Sequence, residues 1–205
     1  MLTATELECV RGNRTVFQKL TFSVVPGECL QLTGPNGSGK TSLIRILCGL
    51  MEPSRGTVSW KGLDIRHVAE DYRTCITYLS HKPGIKEELT PLENLQITCG
   101  LNGREISRSR AICALEYMGL TDRESGLSRF LSEGQRRRIA LARLVFNTSE
   151  IWLLDEVMTA LDRNGMESVQ ALIDGHLSRG GLAIVATHQD LGLSQGQLQR
   201  IELAA

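Results

Sequence analysis

The sequence predicts an α/β fold with a largely parallel core sheet, and three observations carry that prediction. An apolar run, Cys29-Leu30-Gln31-Leu32, leads through Gly34-Pro35-Asn36-Gly37-Ser38-Gly39-Lys40-Thr41 into Ser42-Leu43-Ile44-Arg45-Ile46-Leu47. That order reads as strand, glycine loop and helix. Further buried strands, Ile151-Trp152-Leu153-Leu154 and Leu182-Ala183-Ile184-Val185-Ala186-Thr187, alternate with helical stretches, the order that builds a parallel sheet. The acidic pair Asp155-Glu156 and His188 stand at the carboxyl ends of those strands, where open α/β sheets place their ligands.

The loop fits G-x-x-x-x-G-K-[ST], a phosphate-binding pattern. A triphosphate is a dense anion and needs several donors at short range. Glycines let backbone N–H groups approach phosphate oxygens with no Cβ in the way. A helix starting near Lys40 aims its free N–H groups and its positive dipole end at the same place. Lys40 would reach the β- and γ-phosphates, and the Thr41 hydroxyl would hold Mg²⁺. Alone, the loop means nucleotide and little more.

Composition narrows the class. The 205 residues make one domain, or one domain with a subdomain. Hydrophobic residues make up 41% and charged residues 22%, ordinary for a chain that buries a core. Lys+Arg and Asp+Glu both number 23, so nothing suggests a nucleic-acid or membrane-surface footprint. No apolar run approaches the ~18 residues of a membrane span. Met1 leads into Thr3-Ala4-Thr5-Glu6 with no basic and apolar leader pattern, so no signal peptide is expected. The cysteines, Cys9, Cys29, Cys48, Cys75, Cys99 and Cys113, form no C-x-x-C pair. They read as free thiols of a reducing compartment.

The elements follow in order. Glu6-Leu7-Glu8-Cys9-Val10 and Leu20-Thr21-Phe22-Ser23-Val24 alternate polar and apolar residues, as strands do. Pro26-Gly27 turns the chain into the strand before the loop. Pro53 to Gly56 turns into the strand Thr57-Val58-Ser59-Trp60, and Lys61-Gly62 turns again. Cys75-Ile76-Thr77-Tyr78-Leu79 reads as a core strand. Thr90-Pro91-Leu92-Glu93 then signals a helix start, with Thr at the cap, Pro at the first position and Glu three past the cap. Ser107 to Met118 keeps helical spacing, and Gly100, Asn102-Gly103 and Gly119 break the stretch. Ser132 and Gln135 form a capping box that opens another helix. Its Arg136-Arg137-Arg138 reads as a solvated face. Asn164 with Glu167 reads as the cap of a helix to about Ser178, which Gly180-Gly181 ends.

Taken together, the motif order resembles one family, the nucleotide-binding domain of ABC (ATP-binding cassette) transporters. The motifs are Gly34 to Thr41, the signature Leu131-Ser132-Glu133-Gly134-Gln135, Ile151 to Glu156, Ala160-Leu161-Asp162 and His188. The resemblance covers nearly the whole chain. It implies a P-loop NTPase fold in a single domain, 1–205. An antiparallel β subdomain and a helical signature subdomain, inserted at about 84–135, would flank the parallel core. It implies ATP and Mg²⁺ as ligands. The nucleotide-binding set would be Gly34, Pro35, Asn36, Gly37, Ser38, Gly39, Lys40, Thr41 and Ser42, joined by Ser132, Gly134 and Gln135. Thr41, Asp155 and His81 would serve the metal. Lys40, Glu156 and His188 would be catalytic, with Glu156 as general base on the attacking water and His188 on the γ-phosphate. Two subunits would pair head to tail, each nucleotide lying between one phosphate loop and the partner's signature. Asp162 would lie at that seam.

Departures from the family pattern stand beside these matches. Glu133 occupies a position the family gives to Gly, Val157 one it gives to Pro, and His81 one it gives to the lid glutamine. An imidazole can still bond a water on the metal, with a charge that depends on pH. Arg11 falls where an aromatic stacks on adenine; a guanidinium can stack too, and a plain surface arginine is the alternative. More narrowly, His81 to Lys86, Leu89 to Leu95 and Thr187-His188-Gln189 resemble the ATPase subunit of the haem exporter of cytochrome c maturation. That implies membrane permease partners of CcmB and CcmC type, no nucleic acid, and a peripheral place on the cytoplasmic side of the cell inner membrane. The alternatives are an ABC ATPase for another exported substrate and a soluble, non-transport ABC ATPase. A small GTPase-like switch would lack the signature.

Overall fold

The computed structural model describes residues 1–101, 103, 105–194 and 196–204. In chain order its elements are β1 (Leu2–Arg11), β2 (Arg14–Val24), β3 (Glu28–Thr33), α1 (Lys40–Leu47), β4 (Arg55–Trp60), β5 (Leu63–Asp64), α2 (Ala69–Cys75), β6 (Ile76–Leu79), α3 (Pro91–Leu101), α4 (Arg108–Tyr117), α5 (Glu133–Ala142), β7 (Ile151–Asp155), α6 (Arg163–Ser178), β8 (Leu182–Ala186) and β9 (Gln197–Glu202). Two sheets result, β2-β1-β4-β5 and β6-β7-β8-β3-β9. The first pairs antiparallel. In the second, β7 with β8, β8 with β3 and β3 with β9 run parallel.

Two compact units divide the chain. The first holds Met1–Tyr78, Ser149–Glu156 and Ile173–Ala205, and the second Leu79–Thr148 and Val157–Leu172. In the first unit every residue of β7 and of β8 is buried, as expected of parallel strands covered on both faces. Leu43, Ile44, Ile46 and Leu47 of α1 enter one core with Leu30 and Leu32 of β3, Ile151 and Leu153 of β7, and Leu2 and Val58 of the antiparallel sheet. Each such aliphatic side chain contributes about 1.5–3 kcal/mol. That packing fixes α1, and therefore the loop that precedes it, against the strand ends.

Strand alternation puts Trp152 on the other face. Its ring stacks on His176, centroids 4.0 Å apart and nearly parallel at 6°. His176 Nε2 lies 3.1 Å from the Leu182 carbonyl. Burial, opposed by that bond, pushes its pKa down to about 4.

In the second unit α3, α4 and α5 pack together. Thr90 caps α3 through a closed box with Glu93: Thr90 N–H donates to Oε2 at 2.8 Å, and Glu93 N–H to Oγ1 at 3.2 Å.

Several expectations need correction. Cys75 ends α2 rather than starting a strand, and β6 lies at an edge of its sheet rather than in its core. The cap of α6 is not Asn164. Asp162 accepts from Gly165 N–H at 2.8 Å, and Glu167 instead takes Arg163 at 2.9 Å. The Arg136–Arg138 run is not a solvated face. Arg137 is 4% exposed, Arg138 bonds the Met118 carbonyl at 2.6 Å, and Arg136 takes Glu87 at 2.5 Å. Asn102, read as a helix breaker, lies outside the described residues.

Candidate nucleotide site

The loop between β3 and α1 is shaped by glycines that no other residue would replace. Gly34 sits at φ 131, and a Cβ there would fall 2.3 Å from the Leu203 carbonyl oxygen. Gly39 sits at φ 102, where a Cβ would fall 2.4 Å from Val16 Cγ1. Both conformations lie where only glycine is unstrained. Gly39 is also the N-cap of α1, and it offers no side chain to the first-turn N–H groups. Those donors point into the loop, with the helix dipole behind them.

Lys40 crosses back over the loop. Its Nζ donates to the Gly34 carbonyl at 2.7 Å and the Pro35 carbonyl at 3.2 Å. It lies 3.3 Å from His188 Nε2 and 3.6 Å from Glu156 Oε1. The ammonium is 4% exposed, so it is not exchanged for bulk water at little cost. Thr41 Oγ1 donates to Asp155 Oδ1 at 3.1 Å, and Asp155 is fully buried at the end of β7. Glu156 follows at φ 52, a left-handed conformation that costs a glutamate about 1–3 kcal/mol. Its N–H donates to the Ala186 carbonyl at 2.9 Å. This turn sets the carboxylate beside Lys40 and His188, with His188 Nε2 3.8 Å from Glu156 Oε1.

Sequence reasoning missed two supports of His188. Gln31 Nε2 donates to the Gln189 carbonyl at 2.7 Å, and Thr187 Oγ1 accepts from Gln189 N–H at 3.1 Å. The signal for Gln31 was a polar residue inside an apolar buried strand, 2% exposed.

The residues present fit a nucleotide and its divalent cation. Ser38 Oγ is buried with no hydrogen-bond partner among the described residues. Gly37 is exposed, and a Cβ there would meet nothing within 4 Å. Thr41 and Asp155 are hard oxygen donors already in contact, the chemistry Mg²⁺ takes. Ser42 stands in the first turn of α1. Arg11 ends β1 opposite Arg14, its Nη2 3.3 Å from Met51 Sδ.

The structure thus brings together Gly34–Ser42, Asp155, Glu156 and His188 within the first unit. Ser132, Gly134, Gln135 and His81 belong to the second. There Ser132 caps α5: its Oγ accepts from Gln135 N–H at 3.2 Å, while its own N–H donates to Gln135 Oε1 at 2.9 Å. Gly134 has no room for a side chain, since a Cβ would fall 2.6 Å from the Ala160 carbonyl. Glu133 points outward, 67% exposed. Asp162 takes Arg138 as well as Gly165, and the Gly165 N–H first, then Arg138, hold its carboxyl below the usual range. His81 is exposed on the bend just past β6.

Comparison with known proteins settles the family. The ABC transporter family profile matches residues 17–159. The chain is a member of the ABC transporter family. A "Cytochrome c biogenesis ATP-binding export protein CcmA" from Nitrosomonas europaea is 48% identical over 204 residues, covering 100% of this chain and 96% of that protein. A protein of the same name from Dechloromonas aromatica is 47% identical, covering 99% and 100%. A dimeric bacterial ABC transporter cassette superposes with TM-score 0.84, at 24% identity, over 100% of this chain and 94% of that one. This ABC ATPase has, among its described residues, no helix long and apolar enough to cross a membrane.

Proposed function

We propose that this chain is the ATP-hydrolysing motor subunit of an export complex of cytochrome c biogenesis, with haem as the cargo. The observation that carries the catalytic half is the convergence of Lys40, Thr41, Asp155, Glu156 and His188 on one glycine loop. The full-length likeness to CcmA proteins supports the export half.

The loop N–H groups and Lys40 receive the β- and γ-phosphates. Thr41 and Asp155 would hold Mg²⁺, which when bound offsets phosphate charge. Glu156 orients a water and takes its proton as the water oxygen bonds to the γ-phosphorus. The bond from that phosphorus to the β–γ bridging oxygen breaks, leaving ADP and phosphate. His188 holds the γ-phosphate from the side of Glu156. Ser132, the Gly134 N–H and Gln135 of a second copy close the site, so the working unit is a head-to-tail homodimer and hydrolysis opens it. His81 senses the metal and the partner. The dimer sits peripherally on the cytoplasmic side of the cell inner membrane, against permease subunits of CcmB and CcmC type.

The test is affinity purification of the Glu156→Gln protein from detergent-solubilised membranes with ATP, followed by mass spectrometry and a haem absorption spectrum. Haem-handling membrane proteins are expected to copurify. A permease with no haem association would redirect the cargo, and recovery of no membrane protein would overturn the export role.

A further inference from the structure

Asn94 belongs to the run Leu89-Thr90-Pro91-Leu92-Glu93-Asn94-Leu95, and the chemistry above does not use it. It lies at the start of α3 and is 3% exposed. Its Oδ1 accepts from Lys86 N–H at 2.7 Å and its Nδ2 donates to the Lys86 carbonyl at 2.9 Å. The amide thus matches both backbone groups of one residue, acceptor to donor and donor to acceptor. Nδ2 also lies 3.0 Å from the Thr90 carbonyl, 3.4 Å from the Leu89 carbonyl and 3.1 Å from Ser128 Oγ.

Ser128 is fully buried and opens the turn Ser128–Phe130 that delivers the chain to Leu131 and Ser132. The same two stretches are joined again on either side. Ser128 N–H donates to the Leu89 carbonyl at 2.9 Å, and Arg129 N–H to the Glu87 carbonyl at 3.0 Å. Beyond the signature, Arg136 reaches back to the Glu87 carboxylate at 2.5 Å. Lys86, Glu87 and Glu88 are exposed. An exposed segment is therefore pinned to the backbone before the signature and to a side chain after it, and Asn94 is the buried peg.

We infer that Asn94 is a positioning residue for the signature. It makes segment 86–89 and the turn Ser128–Phe130 one body, so that Ser132 and Gly134 are presented at a fixed angle. The inference rests on the reading that the signature receives the γ-phosphate of a second copy's nucleotide. A carboxylate of the same shape would lose every donated bond and bury a charge. Removing the Ser128 hydroxyl deletes only the bond from Asn94 to the turn and leaves the backbone links at Ser128 and Arg129 in place.

The experiment starts from the Glu156→Gln chain as parent, whose ATP-dependent pairing is read by light scattering. Asn94→Asp and Ser128→Ala are added singly. Nucleotide affinity of the monomer, read with a fluorescent ATP analogue, is expected within about twofold of the parent, because the phosphate loop belongs to the other unit. The pairing constant is expected to weaken about tenfold for Asn94→Asp and a few-fold for Ser128→Ala, the range for mutations along a coupling network. With Glu156 restored, kcat falls while KM stays near its parent value. Unchanged pairing in the folded variants overturns the inference. So does a joint fall of nucleotide affinity, pairing and Tm, the mark of a merely structural residue. Should Asn94→Asp not fold, Ser128→Ala decides. A parent that does not pair with ATP overturns the dimer reading itself, an outcome separate from the others.

Discussion

Two helix N-termini in this molecule carry the same dipole and are finished in opposite ways. That of α1 begins at Gly39, a cap with no side chain, so its donors are left for an incoming anion. That of α5 begins at Ser132 inside a closed capping box, both bonds made. The first is a binding site waiting for phosphate. In the second, the box takes the Ser132 and Gln135 N–H groups and leaves those of Glu133 and Gly134 outside it. On the proposed mechanism the α1 end meets the nucleotide of its own copy and the α5 end meets that of another.

The comparison can be broken most forcefully at α1. Lys40→Ala removes the cation that crosses the loop, and nucleotide affinity should fall by ~30-fold or more, as for other buried charge partners. Unchanged affinity in a calorimetric titration would remove α1 from the account. Glu156→Gln should leave binding intact and lower kcat by about 10²–10⁴, the usual worth of a general base, with ATP-paired dimers accumulating. Retained turnover would assign the water to another group.

The α5 end is sharpened by a pair of variants. Ser132→Ala should lower stability by about 1 kcal/mol through loss of the cap and weaken ATP-dependent pairing. Ser132→Asp keeps a good cap, so Tm should stay near wild type while pairing is lost to charge repulsion. If both variants pair normally, the signature serves the helix alone. The smallest effect is expected at His81, which belongs to neither terminus. His81→Ala should lower turnover a few-fold, within the ~100-fold worth of a minor proton or metal-water contact, at nearly unchanged ATP affinity.

What could be read in advance followed local rules. The glycine loop, the buried strands β3, β7 and β8, and the capping box at Ser132 each announce themselves through spacing and residue type. What escaped was set by tertiary context. β9 is mostly polar, with only Leu198 and Ile201 apolar, and it forms along the edge of β3. α2 has no capping side chain at Val68 to mark its start. Arg137 and Arg138 look like surface charge in the sequence, yet Arg137 is buried and Arg138 is held where Met118 and Asp162 arrive. Asp162 outcompetes Asn164 for the α6 cap because its carboxylate meets both Gly165 N–H and Arg138. Gln31 bonds the Gln189 carbonyl and Asn94 the Ser128 hydroxyl, partners far away in the chain that no local pattern encodes.

The most direct measurement is a backbone amide NMR titration of the monomeric Ser132→Asp chain with MgATP. The account predicts large shifts at Gly37, Gly39, Lys40, Thr41 and Ser42, and none at Glu133, Gly134 and Gln135. Shifts at the α5 amides in the monomer, or silence at α1, would contradict it.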